Sequence, residues 1–119
     1  MDFIIGGAFQ GKKTFAREHF GLNADDIFTC KEDEAPDWNS RCIEHIERYV
    51  LYCLKNDKVP ELNFRSDAVV IGDDIFCGVV PIDTEIRAWR EETGRFYGRI
   101  SQTSQSVHRL FCGLPLKLK

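Results

Sequence analysis

The first twenty residues restrict the fold more than any other part of the chain. The short apolar run Asp2-Phe3-Ile4-Ile5 stops at Gly6-Gly7, and Lys12 to Phe20 then reads as a helix. Strand, glycine loop and helix in that order open a βαβ unit, and such units build parallel sheets covered by helices. The loop, Gly6-Gly7-Ala8-Phe9-Gln10-Gly11-Lys12-Lys13, fits the pattern G-x-x-x-x-G-K. In that pattern backbone N–H groups surround phosphate oxygens, the lysine reaches the β- and γ-phosphates, and the helix N-terminus adds partial positive charge. Gly6, Gly7, Ala8, Phe9, Gln10, Gly11, Lys12, Lys13 and Thr14 are therefore the candidate nucleotide-binding residues, with Lys12 the candidate catalytic cation. The next motif position calls for Ser or Thr, whose hydroxyl reaches Mg²⁺; here it is Lys13, and Thr14 lies about 100° further round the helix, turned away from the phosphates. Two readings stay open: phosphate binding through charge alone, without a well-held metal, or a site that keeps a nucleotide and has lost catalysis.

The rest of the chain continues the alternation. Ile27-Phe28-Thr29-Cys30 reads as a second strand, a parallel neighbour of the first, followed by a polar loop over Lys31 to Asp37. From Asn39 or Ser40 as N-cap, Ile43, Ile46, Val50, Cys53 and Leu54 recur at helical spacing until Asn56-Asp57 and Pro60. Ala68-Val69-Val70-Ile71 is continuously apolar, as a central strand covered on both faces should be. After Pro81, Asp83 can cap a long helix with Ile86, Trp89, Thr93, Phe96 and Ile100 on one stripe. Gly94 and Gly98 in that helix each cost about 1 kcal/mol relative to Ala, which predicts close packing of another backbone. Val107 to Cys112 reads as a closing strand before Gly113-Leu114-Pro115. The expected fold is one domain over residues 1–119, a P-loop NTPase-like three-layer α/β/α arrangement with a mainly parallel sheet.

A carboxylate at the C-terminal end of a neighbouring strand holds Mg²⁺ through its water shell in such domains, and Asp73-Asp74 follows the central strand. Asp73 and Asp74 are the candidate metal ligands, and Asp74 with Lys12 the candidate catalytic pair. Open α/β sheets bind ligands at the carboxyl ends of their strands, where both groups fall.

The net charge of −3, spread along 119 residues, gives no basic stripe that could track nucleic acid. The five cysteines are odd in number, widely spaced and without zinc-ligand spacing, so they read as reduced, mostly buried thiols. No apolar run approaches the roughly 20 residues that span a bilayer, and the start carries no basic and apolar leader. The expected compartment is the cytoplasm, with no membrane partner.

Two stretches resemble the bifunctional adenosylcobinamide kinase/adenosylcobinamide-phosphate guanylyltransferases. Ile4-Ile5-Gly6-Gly7-Ala8 through Gly11-Lys12 looks like that family's opening strand and phosphate loop. Val70-Ile71-Gly72-Asp73-Asp74-Ile75-Phe76-Cys77-Gly78-Val79-Val80-Pro81 is similar to its strand followed by Ser-Asn-Glu-Val-Gly-x-Gly-Val-Val-Pro. Arg87, Trp89-Arg90-Glu91 and Gly94 fall where the family has Arg-x-Phe-Arg-Asp-x-x-Gly, and Gly113-Leu114-Pro115 resembles its Gly-Leu-Pro ending. The resemblance implies ATP or GTP as cofactor, Mg²⁺ as its metal, a corrinoid acceptor from cobalamin assembly, phosphoryl transfer, and a homo-oligomer, a trimer by analogy. The chain also departs from the family. The strand with its Asp-Cys-Leu-Thr motif has no counterpart, Asp73 and Asp74 stand at its Asn-Glu positions, and Tyr97-Gly98 replaces its Asn-Gln pair. Its guanylylated histidine precedes a Pro-x-x-Trp element, which Pro36-Asp37-Trp38 shortens, yet Cys30 to Ala35 contains no histidine. His45 reads as a boundary residue on the following helix, and His19 and His108 have no motif around them, so guanylyl transfer is not carried over. A non-catalytic relative binding a nucleotide or corrinoid, as a regulatory or assembly partner, is the alternative function.

Overall fold

The computed structural model describes residues 1–76 and 83–119. Among the described residues six strands, β1 Asp2–Gly6, β2 Ile27–Thr29, β3 Cys42–Glu44, β4 Val69–Asp73, β5 Ser106–Phe111 and β6 Leu114–Lys117, form one sheet in the order β2-β3-β4-β1-β5-β6. The β1–β4, β1–β5, β2–β3 and β3–β4 pairs are parallel; only β5–β6 is antiparallel. Three α-helices of the described residues cover the sheet: α1 Lys12–Phe20, α2 Ile46–Lys55 and α3 Thr84–Thr103. Alternate strand residues divide the core. Ile4, Val69, Ile71 and Leu110 pack with Ala16 of α1 on one side, while Phe3, Ile43, Val70 and Val107 pack with Val50 of α2 and Phe96 and Ile100 of α3 on the other. The α/β architecture with a mainly parallel sheet is thus the one expected from sequence. Among the described residues, no helix is long and apolar enough to cross a membrane.

Three assignments change. Ile27–Thr29 is not a neighbour of β1 but the far edge of the sheet, paired with β3. It is short and only partly buried, whereas β4, buried along most of its length, takes the place beside β1. Cys42–Glu44, expected inside a helix, is strand β3; all three residues are buried, so neither period 2 nor a solvent face marks it. The helix proper starts at Ile46, after His45 in a left-handed conformation (φ 56°), so His45 precedes α2 and does not lie on it. The chain does not close at Cys112 either, since Cys112 (φ 51°) and Gly113 (φ 76°) form a tight hairpin turn into β6.

α3 begins as expected, with the Asp83 carboxylate accepting from the N–H groups of Glu85 and Ile86 at 2.8 and 3.2 Å. Ile86, however, is exposed, and among the described residues the glycines of α3 meet no backbone: a Cβ on Gly94 would face the Phe76 ring at 3.6 Å, and one on Gly98 would find none of their atoms within 4 Å. Cys77 and the Gly78 to Pro81 part of the family-like stretch lie outside the described residues.

Candidate functional site

The site forms where β1, β3 and β4 end together. Register does the positioning, since Gly6, the last residue of β1, pairs with Asp73, the last of β4. The loop then runs from Gly7 to Gly11, the N-cap of α1 in a left-handed conformation (φ 85°) that favours glycine. Phe9 at its tip is fully exposed. Gln10 ties the loop to the β5–β6 turn: its carbonyl accepts from Gly113 N–H at 3.1 Å and its side-chain Oε1 from Cys112 N–H. A Cβ on Gly6 would lie 2.8 Å from the Leu110 carbonyl and 3.4 Å from Lys12 Cδ, so the lysine folds back only over a glycine.

Lys12 is 8% exposed. Its ammonium donates to the Gly7 carbonyl at 2.6 Å and lies 2.9 Å from Asp73 Oδ1. A buried ammonium requires such partners, and these hold it at the mouth of the loop.

The two strand-end acids part company. Asp73 faces the loop, its N–H donating to Glu47 Oε1 at 2.9 Å and its carbonyl accepting from the Tyr97 hydroxyl at 2.7 Å. Asp74 turns toward β5, its carboxylate accepting from Phe76 N–H and from Arg109, both at 3.1 Å. Of the proposed metal-binding and catalytic acids, Asp73 therefore stands at the cavity beside Lys12, and Asp74 does not line it.

Four residues that sequence reasoning did not select complete the site. Glu44 ends β3, is 8% exposed, accepts from the Thr29 hydroxyl at 2.9 Å, and lies 3.8 Å from Lys13 Nζ. Glu47, in the first turn of α2, is 3% exposed. Its Oε2 lies 3.1 Å from His45 Nδ1, which is also 3.7 Å from Asp73 Oδ2. The bond to Glu47 raises the pKa of His45, against the lowering effect of its partial burial. Trp89 of α3 fixes this turn by donating its indole N–H to the Glu47 carbonyl at 2.8 Å. A cavity of about 500 Å³ is bounded by residues 8 to 14 of the loop and the first turn of α1 and by Glu44, His45, Arg48, Ile71 and Asp73. Thr14, expected to turn away, takes part in this lining. Three of the four cluster as Glu44-His45-Ile46-Glu47, hidden because the stretch reads as one helix.

Magnesium does not fit the position the motif reserves for it. Lys13 occupies the place of the metal-binding hydroxyl and is directed at Glu44. An ammonium there repels a divalent ion but attracts a phosphate.

A scan against models of known protein families returns no match, and a search of curated proteins finds no similar sequence.

Proposed function

We propose that the chain binds a nucleoside triphosphate, ATP or GTP, in the cavity beside the Gly6 to Lys12 loop as a P-loop protein, and that it is a short relative of the cobinamide kinase/guanylyltransferases. The observation that carries this reading is the state of Lys12: a buried ammonium at a helix N-terminus, held by a loop carbonyl and one carboxylate. A phosphate oxygen arriving at the loop offers Lys12 an anion in exchange for Asp73, and the first N–H groups of α1 are oriented toward the same place. Transfer of the terminal phosphoryl group to a hydroxyl, on a corrinoid by the family resemblance, would then rest on positioning and charge neutralisation by Lys12 and the loop amides. Asp73, rather than Asp74, is the acid available to that chemistry. No step is assigned to Mg²⁺. Guanylyl transfer is not part of this activity; the homo-oligomeric setting belongs to the same family reading, and the cytoplasmic setting to the apolar patterning of the chain.

One observation favours binding without transfer. The Lys13–Glu44 pair stands where a catalytic metal would be held, and such a site can retain a nucleotide as a regulatory or assembly signal.

Calorimetry with ATP, GTP and GDP, with and without Mg²⁺, tests both readings. A triphosphate should bind with nearly the same affinity in either condition, and Lys12→Ala should weaken it by about 10- to 100-fold, the loss of a charge-assisted contact of about 1.5 to 3 kcal/mol. Lys13→Ser should introduce Mg²⁺ dependence. Absence of nucleotide binding, or equal losses for Lys12→Ala and Thr14→Ala, would overturn the assignment. Turnover of a bound triphosphate with a hydroxyl acceptor separates the kinase from the binding protein.

A further inference from the structure

We propose that His45 Nδ1, Glu47 Oε2 and Asp73 Oδ2 form a site for a divalent transition-metal ion at the wall of the cavity, and that the Lys12 ammonium gates it. One donor atom from each of the three residues lies within 4.8 Å of the other two, and Nδ1 stands 3.1 Å from Glu47 Oε2 and 3.7 Å from Asp73 Oδ2. Ligands bound about 2.0–2.2 Å from one ion stand about 3 to 3.6 Å apart on adjacent corners of its coordination shell, so small side-chain adjustments suffice to close it.

Each carboxylate is anchored through its other oxygen. Glu47 Oε1 accepts from Asp73 N–H, and Asp73 Oδ1 takes Lys12. The remaining oxygens are thereby aimed at His45, which is the orienting role that outer partners play around protein-bound metals. His45 and Asp73 border the cavity, which leaves room for water to fill further coordination positions. An imidazole nitrogen with two carboxylates suits Zn²⁺, Co²⁺, Ni²⁺ or Mn²⁺ better than Mg²⁺, which prefers an all-oxygen shell. The site also differs from the Asp73-Asp74 pair, because Asp74 turns toward Arg109.

Lys12 opposes this ion. Its ammonium shares the Asp73 carboxylate at 2.9 Å, so a second cation on that group meets a like charge. The gating rests on the nucleotide reading, in which a phosphate draws Lys12 away; the site itself does not.

The probe is Co²⁺ alone, followed by its visible absorption and by calorimetry, with each variant checked for its native circular dichroism. The wild type should bind one Co²⁺ per chain. Lys12→Met, which keeps the apolar stem and removes the charge, should bind it at least about tenfold more tightly. His45→Ala should abolish binding, Asp73→Asn should weaken it, and a tenfold excess of Mg²⁺ should not displace the ion. Failure of both the wild type and Lys12→Met to bind saturably, or undiminished binding by His45→Ala, overturns the site. Equal affinity of wild type and Lys12→Met overturns the gate. Metal-free titration with ATP and GTP separates the two proposals: a functioning Co²⁺ site with no nucleotide binding removes the nucleotide reading and leaves the metal site standing.

Discussion

Gly72 lies under the Tyr97 ring, and replacing it by Ala should damage the fold and the site together. A Cβ at Gly72 would stand 2.6 Å from Tyr97 Cζ and closer still to the hydroxyl oxygen. Tyr97 has little room to withdraw, being 5% exposed and packed edge-on against Phe3 at 5.1 Å between ring centroids. Its hydroxyl is also held, donating to the Asp73 carbonyl at 2.7 Å. Overpacking of this kind costs about 1–3 kcal/mol, and a Tyr97 pushed off Asp73 loses a further hydrogen bond of about 0.5–1.5 kcal/mol. Gly72→Ala should therefore destabilise by roughly 2–4 kcal/mol, read as the shift of the urea midpoint at unchanged slope. Tyr97→Phe alone should cost about 1 kcal/mol. In the double variant the closest clashing atom is gone and the ring is no longer held by Asp73, so the two losses should fall short of additivity by at least about 1 kcal/mol. Additive losses within about 0.5 kcal/mol, or a neutral Gly72→Ala, would refute the wedge.

Two further outcomes follow from titrating groups away from the cavity. Burial, with His19 and Lys117 nearby and only Asp2 opposing, lowers the pKa of His108, whose Nδ1 has no hydrogen-bond partner among the described residues; the unfolded chain then binds the extra proton, so stability should fall as pH drops below about 6.5. His108→Phe should flatten that slope in urea unfolding between pH 8 and 5, and an unchanged slope would assign the acid sensitivity elsewhere; His45, with its raised pKa and opposite sign, cancels in the comparison. Burial pushes the Cys30 and Cys42 thiols up to about 12 and raises Cys53 as well, whereas Cys112 is exposed, so alkylation of the native protein should label Cys112 and spare those three, and labelling of Cys30 or Cys42 at the same rate would contradict their burial.

Much of the architecture is legible in the residues, for reasons that are local. β1, α1, β4 and α3 each carry a strong signal of their own: an apolar run ending in glycine, a helical stripe behind a loop, a β-branched run, a capping aspartate. β3 carries none. Ile43, Ile46 and Val50 lie at spacings that a helix satisfies, and only the left-handed backbone at His45 separates strand from helix. These three residues weigh heavily on the topology, because β3 occupies the position between β2 and β4 and so fixes where β2 goes. β6 escaped for a similar reason: its hairpin depends on positive φ at Cys112 and Gly113, and cysteine gives no turn signal.

At the site, the loop and Lys12 could be read from spacing, but their counterions could not, since those depend on register. Ile43 pairs with Val70, which brings Glu44 level with Ile71 and the next turn level with Asp73. The outcome is a balanced wall: Lys12 faces Asp73, Lys13 faces Glu44, and His45 stands between Glu47 and Asp73. A triphosphate entering this cavity would meet Arg48, whose guanidinium donates to the Cys30 carbonyl, but both loop lysines already face carboxylates. It would take Lys12 and Lys13 from carboxylates already paired with them, and each exchange would uncover a poorly solvated acid. Phosphate binding at this loop therefore carries a cost that a glycine loop with an unpaired lysine would lack, unless a second cation covers the acids as they are released. His45 is the residue placed to receive that cation, whether as its own proton or as a metal shared with Glu47 and Asp73, and this ties the two proposals to one set of side chains.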